Sequence, residues 1–231
     1  YAHRRYPLLR LSLKEPLFRR EDFAQGLRFG LPPALQFSVT AGGNIALQNF
    51  MNGFGSHTVA AITTAYRVDT IMLLPIINLG SAISTMVAQS KGAGEPQRAR
   101  HFWRTGAVMN LVVSLLLMAV MLLFGGKLVA LFGVEAEAAA IGRRFFQRIS
   151  LFYVFFGLAC SMRGTIEGTG RVVYSSAVSI AALLLRIALS YLLAGAFLNM
   201  AIAYAEGLHW IFMVLCFLPF FLRRDRWAQN S

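Results

Sequence analysis

Residues 105–126 read TGAVMNLVVSLLLMAVMLLFGG, from Thr105 to Gly126, without one Asp, Glu, Lys or Arg. A helix of about 20 such residues covers the hydrocarbon of a bilayer, so this stretch specifies a membrane span. Residues 29–66 are equally free of these four residue types. Working outward, the apolar pattern predicts six helices at about 29–52, 57–89, 102–124, 143–163, 172–194 and 199–222. The fold class is therefore all-α: a polytopic transmembrane helical bundle over 26–222, between a basic segment 1–25 and a short tail 223–231. The fourth helix has the shortest uncharged core, 14 residues between Arg148 and Arg163. It spans only if its ends snorkel or a neighbouring helix covers them.

Basic loops are retained on the cytoplasmic side, and the Lys and Arg alternate from loop to loop. The segment before the first helix carries Arg4, Arg5, Arg10, Lys14, Arg19, Arg20 and Arg28. The same side gains Lys91, Arg98, Arg100 and Arg104, then Arg163 and Arg171, and finally Arg223, Arg224 and Arg226. The opposite side has Lys127, Arg143, Arg144 and Arg148, whereas Arg67 and Arg186 fall inside spans. Both ends of the chain are thus expected in the cytoplasm of a cell whose inner, or plasma, membrane holds the protein. The net charge of +12 is explained by membrane-flanking loops facing anionic lipid, with no need for nucleic acid.

Cys160 and Cys216 lie in apolar helices without Cys-x-x-Cys spacing and read as small buried hydrophobes. His57, His101 and His209 stand apart from one another, so no metal site is expected. No nucleophile has a base at a recognisable spacing, so the chain is not expected to be an enzyme or to need a cofactor. The opening 22 residues are basic, broken by Pro7 and Pro16, and lack the apolar run of a signal peptide. The chain begins at Tyr1 and not at Met, which leads us to expect further sequence upstream.

The first helix carries Gln36, Ser38, Thr40, Asn44, Gln48 and Asn49 with Gly42 and Gly43. Amide side chains in hydrocarbon need partners, so this side faces either other helices or a water-filled cavity. The second helix holds Arg67 and Asp69 inside its span. Charges at that depth face a bundle interior, and two residues apart on a helix they point away from each other. Each needs its own partner. With a turn near 194–199, Arg186 lies eight residues before it and Glu206 seven after, so their depths match and an intramembrane Arg186–Glu206 ion pair is expected. Asp69 is a candidate for binding a proton or a cation.

The end of the second helix and the turn after it read LGSAISTMVAQSKGAGEPQRAR over residues 79–100. Physically this is a small-residue packing face, a glycine stop and a basic turn closed by proline. The wording resembles the multidrug and toxic compound extrusion (MATE) transporters. So do Gly30-Leu31-Pro32, Phe54-Gly55, Gly168-Thr169-Gly170-Arg171 and the RIALSYLL stretch at 186–193, in the same order.

That resemblance implies six helices forming one lobe of a two-lobe, twelve-helix carrier, here the C-terminal lobe, with residues 1–25 as the inter-lobe linker. It implies secondary active efflux of drugs or toxic organic compounds, often cations, by antiport with Na+ or H+ through alternating access. The partners implied are the lipid bilayer, a small-molecule drug or metabolite, and the N-terminal lobe of the same carrier. Some family members carry a Glu in the seventh helix and an Asp in the tenth for cation binding. A gapless register puts those positions near Thr40 and Phe156, so both acids are missing here, which implies a coupling acid in the other lobe and leaves Asp69 and Glu206 as the ion-coupling candidates of this half.

The residues expected to line the substrate cavity are Gln36, Asn44, Gln48, Tyr66, Met72, Tyr153 and Phe156. Aromatic and methionine side chains suit flat apolar cations. The alternatives are a flippase for lipid-linked precursors, which needs a large cationic cavity, or a structural six-helix membrane subunit.

Overall fold

The structure is a computed structural model that describes residues 19–222. Most of the proposed linker 1–25, and the whole tail 223–231, lie outside the described residues. Six helical rods run up and down in chain order: α1 (Arg20–Asn52), α2 (Ser56–Gly92), α3 (Pro96–Ala130), α4 (Ala136–Gly168), α5 (Val172–Leu192) and α6 (Ala194–Leu222). No strand occurs among the described residues. Five of the rods, α2 to α6, are long and apolar enough to cross a membrane, whereas α1 is too polar to qualify on composition. That difference from the six apolar spans expected traces to the Gln, Asn and Ser residues of α1.

Several boundaries differ from the sequence expectation for physical reasons. α1 begins at Arg20, nine residues before the apolar run, because Glu21 and Asp22 in its first turn complement the helix dipole. Pro32 and Pro33 lie inside α1 and not at its start. Each lacks an N–H, yet the turns on either side carry the helix through. α3 runs to Ala130, so Lys127 is helical, and only Ala93, Gly94 and Glu95 separate α2 from α3. Gly94 makes that turn with φ +69°, and Gly170 makes the α4–α5 turn with φ +87°, conformations that suit the glycines of both motifs.

α4 starts at Ala136, seven residues early, as an α-helix over Ala136–Ile149. A 3-10 turn at Ser150–Phe152 follows, and then an α-helix over Tyr153–Gly168. Its short apolar core is covered by neighbours: 56% of its best membrane window is buried, more than in any other span. α6 opens with a helical turn (Ala194–Phe197) and a 3-10 turn (Leu198–Met200) where the sequence suggested a plain loop. Leu198 there takes φ +50°, uncommon for a residue with a side chain.

Packing centres on α4, which lies between α2, α3 and α6, while α1 sits outside against α5. The α2–α4 seam is made of small residues. A Cβ built on Gly164 would overlap the Gly80 carbonyl oxygen, and one on Gly80 would come within 3.0 Å of the Cys160 carbonyl oxygen. Close backbone approach of this kind is how membrane helices gain dispersion contacts without a hydrophobic drive. On the other side of α4, buried Asn110 of α3 donates through Nδ2 to Ser161 Oγ at 2.8 Å.

Candidate functional site

Four helices deliver ionisable groups to one buried cluster. α2 supplies Tyr66 and Asp69, α4 supplies Tyr153, α5 supplies Arg186 and α6 supplies Glu206. Tyr66 and Asp69 are three residues apart, so one face of α2 presents both. Tyr153 opens the second half of α4, directly after the 3-10 turn, and is fully buried. Arg186 of α5 and Glu206 of α6 face each other across the last hairpin and form an ion pair. Their side chains are 11% and 10% exposed.

Hydrogen bonds tie the groups into two sets, Tyr66–Arg186–Glu206 and Tyr153–Asp69. Tyr66 donates through its hydroxyl to Glu206 Oε2 at 3.0 Å and accepts from Arg186 Nη2 at 2.9 Å. The Arg186 guanidinium also stands 5.6 Å from the centroid of the Tyr66 ring, a cation-π arrangement. Tyr153 donates to Asp69 Oδ1. No Lys or Arg among the described residues pairs with Asp69. The cluster thus holds two carboxyl groups against one guanidinium, and the guanidinium is engaged by Glu206. Aromatic rings enclose it: Phe145 packs edge-on to Tyr66 at 5.5 Å, and Trp210 lies 6.1 Å from Tyr153 and 4.9 Å from Phe156.

The residues expected to line one cavity fall into two groups. Tyr66, Met72, Tyr153 and Phe156 pack around the same core as Trp210. The α1 residues are elsewhere. Gln36 is buried and accepts at 3.2 Å from Arg163 Nη2, while Arg163 Nε donates to Glu167 of its own helix at 2.7 Å. Glu167 in turn accepts from Ser175 Oγ of α5 at 2.9 Å. Gln48 donates to Asn52 within α1 at 3.3 Å, and Asn44 is exposed. Gln36 shares its face with Gly43 and Leu47, while Asn44 and Gln48 are turned about 80–120° from it. Thr40 bonds to the Gln36 carbonyl oxygen.

Arg67 is exposed on α2, and no hydrogen bond or ion pair among the described residues engages it. Two participants escaped the sequence reading. Arg163 was counted as a loop cation, although Glu167 four residues on is a readable helical partner. Trp210 lies four residues after Glu206, hence on the same face of α6, which was the available signal. Cys160 and Cys216 are free thiols, and the described residues contain no group of three His, Cys, Asp or Glu placed to hold a metal.

Similarity to known proteins agrees with this architecture. Solved structures of the same fold include the outward-facing conformation of a multidrug resistance MATE family transporter, with a TM-score of 0.82 and 19% identity over 90% of this chain and 47% of that one. A MATE structure in complex with MaL6 matches at a TM-score of 0.83 over 96% of this chain and 51% of that one, with 18% identity. Among curated relatives, the probable multidrug resistance protein YpnP of Bacillus subtilis is 29% identical over 150 residues, 65% of this chain and 34% of its own length. The probable multidrug resistance protein NorM of Thermotoga maritima is 23% identical over 168 residues, 67% of this chain and 36% of its own length. The chain therefore spans about a third of these curated relatives and about half of the solved chains. The MatE family model matches residues 32–192, from the prolines of α1 to the end of α5, and this chain belongs to the MatE family.

Proposed function

We propose that this chain forms one six-helix lobe, over 26–222, of a two-lobe carrier that expels drugs or toxic organic compounds, often cations, by antiport with Na+ or H+. The second lobe, N-terminal to this one, is the partner that completes the cavity, and residues 1–25 are the linker to it. Alternating access then comes from one lobe rocking against the other around a central site. The basic turns at the α2–α3 and α4–α5 ends, with the tail 223–231, face the cytoplasm, and the membrane is the inner, or plasma, membrane.

The observation that carries this reading is the Tyr66–Asp69–Tyr153–Arg186–Glu206 cluster inside the spans. Ionisable groups at such depth are costly and mark ion or substrate pathways. Because Arg186 is engaged by Glu206, the group left to respond to a coupling ion is Asp69 with its Tyr153 partner. Tyr66, Met72, Phe156 and the exposed Asn44 are the residues we assign to substrate. A lipid-linked precursor flippase fits less well, since of the two embedded arginines one is spent on Glu206.

The test is dye efflux by the complete carrier in vesicles, driven separately by a pH and a Na+ gradient. Asp69→Asn is expected to abolish the response to one of the two gradients while leaving downhill dye exchange intact. Gradient-driven efflux equal to wild type in that variant would reject Asp69 as the coupling group.

A further inference from the structure

α1 joins the bundle only from its middle onward. Its buried residues are Gln36, Gly43, Leu47, Phe50 and Met51, and none lies in the first four turns. Phe29 of those turns reaches Gly170 of the α4–α5 turn, and a cleft of about 510 Å³ lined by Ala24, Gln25, Arg28, Phe29, Thr169 and Gly170 lies there. Ligand sites for small molecules occupy roughly 300–1,000 Å³.

The cleft is cationic and amphiphilic. Arg28 stands exposed on one wall, and no carboxylate lines the cleft. No ion pair among the described residues occupies Arg28. Thr169 forms part of the opposite wall, and its carbonyl accepts from Lys91 Nζ at 3.0 Å, which holds a second cation next to the cleft, outside its lining. Arg171 follows Gly170 directly, its guanidinium 5.1 Å from the Phe220 ring of α6. Glu167, the acid nearest this turn in sequence, is engaged by Arg163 and Ser175. Glu21 and Asp22, in the first turn of α1, precede the lining residues by less than a turn and are not themselves among them. On the membrane side the walls turn apolar, with Phe29 42%, Leu31 51% and Val173 61% exposed.

We infer that this cleft binds the phosphodiester headgroup of an anionic phospholipid, with its acyl chains lying along the exposed apolar side chains of α1 and α5. Basic pockets between helices at the membrane surface recognise such headgroups by charge, and a neighbouring apolar wall selects an amphiphile over a free anion. The bound lipid fills the cleft between the first turns of α1 and the α4–α5 turn. Lipid retention is read without any transport, so its failure and that of the efflux proposal are separate outcomes.

The experiment is native mass spectrometry of the purified protein titrated with phosphatidylglycerol or phosphatidylcholine. Phosphatidylglycerol should be retained preferentially, and Arg28→Gln should weaken its binding about fivefold. Arg28→Lys should recover most of that loss. Arg98→Gln, in the first turn of α3, should change nothing and serves as the control for a diffuse charge effect. Equal retention of the two lipids, an unaffected Arg28→Gln variant, or loss in Arg98→Gln as large as in Arg28→Gln would each overturn the inference. Displacement of the lipid by millimolar inorganic phosphate would also overturn it, by making the site one for a free anion.

Discussion

The hydroxyl of Tyr153 donates to the carboxyl of Asp69, joining α4 to α2 across 84 residues of sequence inside the bundle. Both side chains are buried, Tyr153 fully and Asp69 to 5% exposure, so the bond is shielded from competing water. A hydrogen bond to a charged group contributes about 1.5–3 kcal/mol, and a buried carboxyl stripped of it keeps its desolvation cost. Tyr153→Phe is therefore expected to lower stability by about 2 kcal/mol. Thermal unfolding in detergent checks this, and a melting temperature equal to wild type would show that the bond carries no net stability.

Arg186 and Glu206 form the other half of the cluster, with Tyr66 bridging them. Removing one member of a buried pair strands the other charge, at a cost of about 3–5 kcal/mol. Glu206→Gln and Arg186→Glu should each reduce folded yield strongly. Exchanging the two, Arg186→Glu with Glu206→Arg, should restore part of it. An exchange that folds no better than either single change would mean that the pair does not hold the hairpin together.

At the α2–α4 seam, the neighbours of Gly164 are backbone atoms of Gly80, which cannot turn aside as a side chain can. Overpacking costs about 1–3 kcal/mol. Gly164→Ala is expected to reach the upper part of that range. Gly42→Ala, where a Cβ meets nothing within 4 Å, should be neutral or slightly stabilising. Comparing the two melting temperatures separates a steric effect from a general preference for glycine.

The α1 amides should behave differently from each other. Gln36 holds Arg163 and through it the Glu167–Ser175 bond, so Gln36→Leu should lower stability by roughly 1 kcal/mol, leaving a partly buried guanidinium N–H without that acceptor. Asn44 is exposed on the lobe, so Asn44→Leu should preserve folding and alter the resistance spectrum of the complete carrier. An unchanged spectrum together with normal expression would remove Asn44 from the substrate surface.

The number, order and approximate extent of the helices were legible in the sequence because hydrocarbon thickness demands long uncharged runs, and residues 105–126 meet that demand without reference to any other part of the chain. The family was legible too, since the motif at 79–100 combines a packing face, a glycine stop and a proline start in a fixed order. Helix ends were less so. Arg20 to Arg28, Lys127 and Ala136 to Gly142 are helical although polarity or charge suggested otherwise, because hydrogen bonding continues past the apolar stretch into the interface.

Which side chains meet was decided only in three dimensions. Matching depth along two helices sufficed to bring Arg186 to Glu206, since a short hairpin constrains the pair. Nothing in the spacing of residues links Asp69 to Tyr153 or Gln36 to Arg163. Those partners depend on how far each helix is rotated about its axis. That rotation is set by the close approach at Gly80 and Gly164, by the 3-10 turn before Tyr153, and by the packing of α1 on α5. A one-dimensional pattern gives the faces of a helix but not the angle at which tertiary packing turns each face toward its neighbours.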